Sequence, residues 1–247
     1  MSAALCSIEQ PLQLAKLAYE ALRDSILSGH LKPGDIVNEM ALAKELGISR
    51  TPVREALLEL SSQGLVEILP RKGIRIKYFT ERDVNEVCEI RELIEIAVVE
   101  GLARKGTSRS LKRLESALEQ QRKAVKNGDM VEFLRADRLF HVALTHLTDN
   151  RRLPKILENL RDLIQVMGKE ALTREGRVEE VLEEHLNVVA CIKQGKIGEA
   201  KEAMRLHLRR SRNAILDGLK RDSADEVENS QITGLRIKRN FSQETSR

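Results

Sequence analysis

The spacing of apolar residues predicts the elements of the first third of the chain. Apolar positions three and four residues apart predict helices over about 11–28, 39–46 and 50–63. Alternation of apolar and polar residues over 65–69 and 74–77 predicts two strands joined by a turn. The sequence therefore predicts three helices followed by a β-hairpin.

From Thr80 onward the pattern is helical throughout. Thr80 and Asp83 have the spacing of a capping box at the start of the first helix. Short breaks rich in Gly, Asn and Asp separate the helices, which we expect over about 80–105, 108–126, 129–147, 153–171, 178–193 and 197–220. Amphipathic helices with short connections are typical of an antiparallel bundle.

The length of 247 residues is enough for two domains. We predict one domain over 1–79, formed by the three helices and the hairpin, and a helical domain over 80–222. The last segment, 223–247, is polar and basic, and we expect it to be a disordered tail.

Composition narrows the class of protein. Lys and Arg number 42 against 38 Asp and Glu, a formal net charge of +4, so any contact with nucleic acid must come from a local cluster. No apolar run approaches the ~18 residues of a membrane span, so we expect no membrane association. The 3 cysteines are far apart and predict no disulfide framework, which fits a cytoplasmic protein.

Residues 41–60, ALAKELGISRTPVREALLEL, have the pattern of a helix-turn-helix. Gly47 permits the turn, and Ser49 lies where it can cap the second helix. Further polar side chains project from the start of that helix, and such side chains meet base edges and phosphates in the major groove. The predicted DNA contacts there are Ser49, Arg50, Thr51 and Arg54.

The hairpin that follows carries Arg71, Lys72 and Gly73 at its tip. A positively charged wing beside a recognition helix suits the phosphate backbone. The alternative interpretation is a helical hairpin with an ordinary solvated basic surface.

The run Ser49–Leu57, SRTPVREAL, and its surroundings over about 15–77 resemble the DNA-binding domain of the GntR family of bacterial transcription regulators. The resemblance implies a winged helix-turn-helix that binds short inverted repeats as a dimer. It also implies base or backbone contacts by Arg50 and Arg54, and phosphate contacts by Ser49 and Thr51. Some members carry Arg where this chain has Met40, so one operator contact is not expected here.

Three histidines and one aspartate fall on inward-facing stripes of three helices of the bundle. Asp137 and His141 are four residues apart, so their side chains point the same way. A buried carboxylate is costly unless it is paired or bound to a metal. Together with His185 and His207, these residues form a plausible ligand set for zinc, nickel or manganese. The alternative is that each histidine is a satisfied core residue.

Three segments of the helical half, over 80–220, resemble the FCD ligand-binding domain of one branch of the GntR family. They are Asp137–His141, Glu184-His185 and Met204–Leu208, in this order. The six-helix count resembles the smaller, metal-containing type. The resemblance implies that the divalent metal is held by Asp137, His141, His185 and His207, and that a small carboxylic acid effector binds beside it.

Arg91 also falls on an inward stripe, and an inward guanidinium requires a carboxylate. The resemblance implies that Arg91 meets the effector. The alternative is a structural ion pair with Glu95 or Asp137.

The expected fold class is mainly α, with an N-terminal winged helix-turn-helix and a C-terminal all-α antiparallel helical bundle. The expected function is a ligand-responsive cytoplasmic transcription repressor that binds an operator as a homodimer and is not an enzyme. Two alternatives remain open. The metal itself could be the signal, or the cluster could be a hydrolase centre, although no separate inward Glu or His is evident as a general base.

Overall fold

The structure, a computed structural model, describes residues 12–105, 111–172 and 174–244, with the side chains of 13–105, 111–169, 171–172 and 174–221. The chain divides into two compact units between Phe79 and Thr80. No helix in the described ranges is both long and apolar enough to cross a membrane.

The first unit contains three helices and a three-stranded antiparallel sheet in the order β1-β3-β2. Its elements are α1 Leu12–Ser28, β1 Ile36–Val37, α2 Glu39–Leu46, α3 Arg50–Ser62, β2 Val66–Leu69 and β3 Gly73–Ile76. The predicted hairpin is β2 and β3, in which Val66 pairs with Ile76. Strand β1 was not predicted, because two residues are too few to display an alternating pattern.

Helix α1 packs against α3, and the core of the first unit lies between them. Gly47 ends α2 in the left-handed conformation, with φ of 67°, and thereby allows the sharp turn into α3. The inward face of α3 is buried through Val53, Ala56, Leu57 and Leu60. This packing leaves the opposite face of α3 in solvent.

The second unit contains six α-helices in the described ranges. They are α4 Glu81–Lys105, α5 Lys112–Asn127, α6 Met130–His146, α7 Leu153–Met167, α8 Arg177–Lys193 and α9 Ile197–Glu244, with a 3-10 turn at Glu170–Leu172. The predicted capping box is present, because the Thr80 amide donates to Asp83 and the Asp83 amide donates to the Thr80 hydroxyl.

Two helix ends differ from the sequence prediction, and a third cannot be compared with it. Helix α7 stops at Met167 and is followed by Gly168 and the 3-10 turn, rather than continuing to residue 171. The expected start of α5 at residue 108 lies outside the described residues. Helix α9 continues to Glu244, where we expected a disordered tail after residue 222; that stretch contains no proline to end the helix.

Helices α4, α5, α6, α8 and α9 enclose the apolar core of the second unit. Full burial of one such side chain contributes roughly 1.5–3 kcal/mol to folding. The most deeply buried members are Val99, Leu114, Phe140, Leu144, Val188, Ala200 and Met204. A further set of buried side chains in this unit is charged or polar, among them Glu95, His141, His185 and His207.

Candidate metal centre and nucleic-acid interface

The predicted DNA contacts of the recognition helix lie at the start of α3. Ser49, Arg50, Thr51 and Arg54 are all exposed. Ser49 occupies the N-cap position, but its hydroxyl makes no capping hydrogen bond, so the capping role expected for this side chain is not observed. The hydroxyl is therefore not engaged as a helix cap.

An acidic residue that the sequence analysis did not identify lies beside these arginines. Glu39, in the first turn of α2, has carboxylate oxygens 3.4 Å from Arg50 Nη2 and 4.0 Å from Arg54 Nε. Exposed ion pairs of this kind contribute little to stability. Their effect is to hold two guanidinium groups near each other on the surface of the first unit.

The wing tip places two cations in solvent. Arg71 and Lys72 form the turn between β2 and β3, and Arg71 has φ of 64°, an uncommon value for a residue with a side chain. Gly73 has φ of 111°, and a Cβ at this position would lie 2.6 Å from the Val37 carbonyl oxygen. Glycine is therefore required where β3 passes β1.

The three predicted histidines converge on one point inside the second unit. His141 comes from α6, His185 from α8 and His207 from α9, and each is at least 99% buried. His207 Nε2 lies 3.3 Å from the Nε2 atoms of both His141 and His185. Two nitrogens bound tetrahedrally to one metal at about 2.05 Å are also about 3.3 Å apart. The spacing therefore fits a tetrahedral ion such as zinc.

The fourth predicted ligand lies beside the imidazoles. Asp137 Oδ1 is 3.9 Å from His141 Nε2 and 3.8 Å from His185 Nε2. The other oxygen, Oδ2, accepts a hydrogen bond from Arg161 Nη2. The cluster thus offers three nitrogens and one carboxylate oxygen, a donor set that suits a divalent transition metal.

The second nitrogen of each imidazole contacts an oxygen acceptor. His141 Nδ1 lies 2.5 Å from Glu95 Oε2, His185 Nδ1 3.0 Å from Gln121 Oε1, and His207 Nδ1 2.8 Å from a Glu184 oxygen. These contacts assign the proton to Nδ1 and leave the lone pair on Nε2. Three lone pairs facing one another repel unless a cation lies between them, so the arrangement fits a metal.

Burial controls the protonation of the imidazoles. Removal from water lowers the pKa of His141 and His185 below the ordinary histidine value. It lowers the pKa of His207 to about 4, although the hydrogen bond to Glu184 acts in the opposite direction. The three imidazoles are therefore neutral near pH 7, which is the state that binds metal.

Glu95 and Glu184, the carboxylates that contact His141 and His207, remain charged. Burial disfavours the charge of Glu95, but Arg91 and His141 outweigh it and lower its pKa. Burial likewise opposes ionisation of Glu184, whose pKa is lowered to about 2 by hydrogen bonds from His207 and Arg177. The sequence analysis named Glu95 only as a possible partner of Arg91, and Glu184 only within a motif. Their contacts with His141 and His207 were not predicted.

Arg91, the predicted effector contact, forms the alternative ion pair. Its Nε donates to Glu95 at 2.7 Å, and its Nη2 is 3.5 Å from His141 Nδ1. Its Nη1 is buried and has no hydrogen-bond partner among the described residues. One donor of Arg91 is thus available in the interior, and an effector contact by this residue stays a prediction.

Arg161, on α7, was not identified from the sequence. It is 5% exposed, and burial together with the charge of Arg91 lowers its pKa to about 9. Its Nε has no hydrogen-bond partner within the described part of the chain. Arg161 lines a cavity that also contacts Asp137 and His207. A signal for it was present, since an arginine at an inward position of an amphipathic helix requires a partner.

Every helix of the second unit contributes a side chain to this polar cluster. Three of these residues, Glu95, Gln121 and Arg161, come from sequence positions that carry no motif. The contributors are Glu95 from α4, Gln121 from α5, Asp137 and His141 from α6, Arg161 from α7, Glu184 and His185 from α8, and His207 from α9.

Comparison with known proteins identifies both units. The model of bacterial regulatory proteins of the gntR family matches residues 14–76, and the model of the FCD domain matches residues 86–210. The chain is 33% identical over 201 residues to the HTH-type transcriptional regulator YdhC of Bacillus subtilis, covering 81% of this chain and 90% of that one. It is 30% identical over 191 residues to the HTH-type transcriptional repressor RspR of Escherichia coli, covering 77% and 83%.

A solved structure agrees with the architecture. The E. coli protein McbR/YncC superimposes with a TM-score of 0.72 at 25% identity, over 83% of this chain and 97% of that chain. The family and these relatives are transcription regulators and not enzymes, so the hydrolase alternative is set aside. The chain belongs to the GntR family of bacterial transcription regulators, in the branch that carries an FCD domain.

Proposed function

We propose that this regulator is a metal-dependent, effector-responsive repressor that binds an inverted-repeat operator as a homodimer. The observation that carries the proposal is the convergence of three imidazole Nε2 atoms beside Asp137. Asp137, His141, His185 and His207 would hold the ion, with zinc favoured and nickel or manganese as other candidates. The bound ion would supply a positive charge that attracts an acidic effector.

The proposed effector is a small carboxylic acid. The cavity beside Asp137 and His207 brings Arg161 to the metal site, and its Nε is a buried donor without a partner in the described structure. Arg91 Nη1 is a second such donor. A buried unpaired donor costs about 1–3 kcal/mol, so a carboxylate that accepts from both would be bound firmly.

Ser49, Arg50, Thr51, Arg54, Arg71, Lys72 and Gly73 are the proposed DNA contacts of each protomer. The effector would release the operator by favouring one arrangement of the two DNA-binding units in the dimer over another. The name of RspR as a repressor supports repression rather than activation.

The test compares the full chain with His141→Ala and with His146→Ala, whose imidazole is exposed on the same helix. We expect about one metal per chain by elemental analysis in the wild type and His146→Ala, and none in His141→Ala. Operator DNA selected from a random pool should be released from the first two proteins by a small carboxylate, and not from His141→Ala.

Two outcomes would contradict the proposal. A metal-free wild type would remove the site. Operator affinity that follows zinc or nickel concentration, with no response to any carboxylate, would instead make the metal the signal.

A further inference from the structure

A second, larger cavity opens on the same side of the bundle as the metal site. Charged side chains from the segment after the 3-10 turn, from α8 and from α9 surround it. We name it the outer chamber, and its lining is Ala171, Arg174, Arg177, Glu180, Arg210, Asn213, Ala214, Asp217 and Arg221. Four guanidinium groups face two carboxylates there, so the lining carries an excess of positive charge.

The outer chamber adjoins the cavity that reaches the metal ligands. Ala171, Arg177 and Ala214 line both. Between Arg161 at the inner end and the chamber, the inner cavity is walled mainly by apolar side chains, among them Ile164, Leu172, Val181 and Ile215. A ligand that extends from the inner cavity into the outer chamber would have an acidic group at its inner end and a short apolar or weakly polar middle section. The outer chamber has room for a second group at its other end.

The arginines of the chamber are linked to a metal ligand through Glu184. Arg177 donates to Glu184 at 2.9 and 3.2 Å, and Arg210 Nη1 donates to it at 3.2 Å. Glu184 Oε2 in turn lies 2.8 Å from His207 Nδ1. An anion that draws Arg210 into the chamber therefore weakens one of the contacts that hold the carboxylate behind His207.

We propose that the outer chamber is an anion subsite that binds the second carboxylate of a dicarboxylic acid whose first carboxylate lies at the metal and Arg161. The inference rests on the proposed function and makes it narrower, since it excludes simple monocarboxylates as the preferred effector. Arg210 and Arg174 are the specificity-determining residues. Arg210 is 52% exposed in its side chain and Arg174 50%, so both can turn toward a ligand.

The test measures binding to zinc-loaded full-length protein by calorimetry. The probes are the straight-chain dicarboxylates from malonate to adipate, each paired with the monocarboxylate of equal carbon number. A charge-assisted hydrogen bond contributes enough to change affinity about tenfold. We therefore expect at least one dicarboxylate to bind about tenfold more tightly than its monocarboxylate partner.

Three variants test whether the preference for dicarboxylates arises from the outer chamber. Arg210→Gln removes the guanidinium group that donates to Glu184. Arg174→Gln removes a guanidinium group that donates to Glu180, which does not contact the proposed metal ligands. Both should lose the preference. Arg174→Gln, which makes no contact with Glu184, should keep the affinity for monocarboxylates within about twofold. Arg209→Gln, an exposed neighbour that does not line the chamber, should keep it.

Equal affinity within every pair, or a preference that survives in both chamber variants, overturns the inference and leaves the proposed function standing. Tight binding of inorganic phosphate that depends on Arg210 and does not compete with a dicarboxylate also overturns it, because the chamber is then a separate anion site. A protein that holds no zinc but still prefers dicarboxylates would contradict the proposed metal role and support the chamber.

Discussion

At the scale of single residues, Glu184 connects the buried histidine cluster with the solvent-facing part of the second unit. Its carboxylate contacts His207, Arg177 and Arg210, and it remains ionised although it is largely buried. A buried carboxylate is tolerated when several donors surround it. The histidine cluster, which is the proposed metal site, is therefore held by charges that must themselves be balanced. We expect the stability of the cluster to depend on pH.

The metal-free protein should lose stability on acidification. The pKa of His207 is about 4 in the folded protein against 6.5 for an unperturbed histidine, so the folded state binds a proton less readily than the unfolded chain. This contribution is present above pH 6.5 and is lost as the pH falls toward 4. Between pH 7 and pH 4.5 it amounts to about 2 kcal/mol.

Urea unfolding followed by far-ultraviolet circular dichroism, after removal of metal with a chelator, measures this loss. His207→Gln should reduce the dependence on pH, while the exposed His146→Gln should retain it. An equal slope in wild type and His207→Gln would show that the acid sensitivity arises elsewhere.

The sequence predicted the convergence of the inward histidines with Asp137 better than it predicted the residues that contact them. Asp137 and His141 are four residues apart on one helix, so helical geometry alone brings them together. Glu95 and Gln121 meet their histidines only because α4 and α5 are rotated and shifted suitably against α6 and α8. The order of apolar residues along a helix does not contain that rotation, and these partners were missed for this reason.

At the scale of elements, the wing depends on a strand of two residues. β1 pairs with β3 through Ile36 opposite Arg75 and Val37 opposite Ile74. The same close approach places the Val37 carbonyl where a Cβ of residue 73 would lie. The alternation of apolar and polar residues predicted the hairpin of β2 and β3. Strand β1 forms only because it pairs with β3 in the folded unit, and a local sequence pattern does not reveal such pairing.

Gly73→Ala should therefore strain the wing. We expect a loss of about 1–3 kcal/mol in the stability of the first unit, together with weaker operator binding. Gly47→Ala is the matched control, because Gly47 also has positive φ but a Cβ there meets no atom within 4 Å. Its cost should be limited to about 1 kcal/mol, with little change in the wing.

Tyrosine fluorescence can isolate this effect in the full chain. The protein has no tryptophan and 2 tyrosines, Tyr19 and Tyr78, both in the first unit. Equal destabilisation by the two alanine variants would mean that the contact with β1 does not matter.

At the scale of the whole molecule, the number of proposed DNA-contacting cations gives a way to distinguish binding as a dimer from binding as a single chain. Each protomer presents Arg50, Arg54, Arg71 and Lys72 in exposed positions. A dimer that neutralises about eight phosphates should show a slope of about −7 in log affinity against log salt concentration, and one protomer about half of that.

Arg54→Ala should make this slope shallower by about two units, because a dimer loses two cations. Lys16→Ala, which removes an exposed cation of α1 paired with Glu20, should leave the slope unchanged. The slope is measured by titrating operator DNA at several salt concentrations. A wild-type slope near −3.5 would contradict binding as a dimer.

The contribution of all six helices to one polar cluster has a consequence for how the second unit opens. Detaching any single helix would leave a buried charge or imidazole without its partner, which costs several kcal/mol. Local fluctuations of the bundle interior are therefore suppressed, and the amide hydrogens of the six helices should exchange with solvent in one cooperative opening. The bundle transmits a change at its centre to every helix at once, since no helix can relax alone.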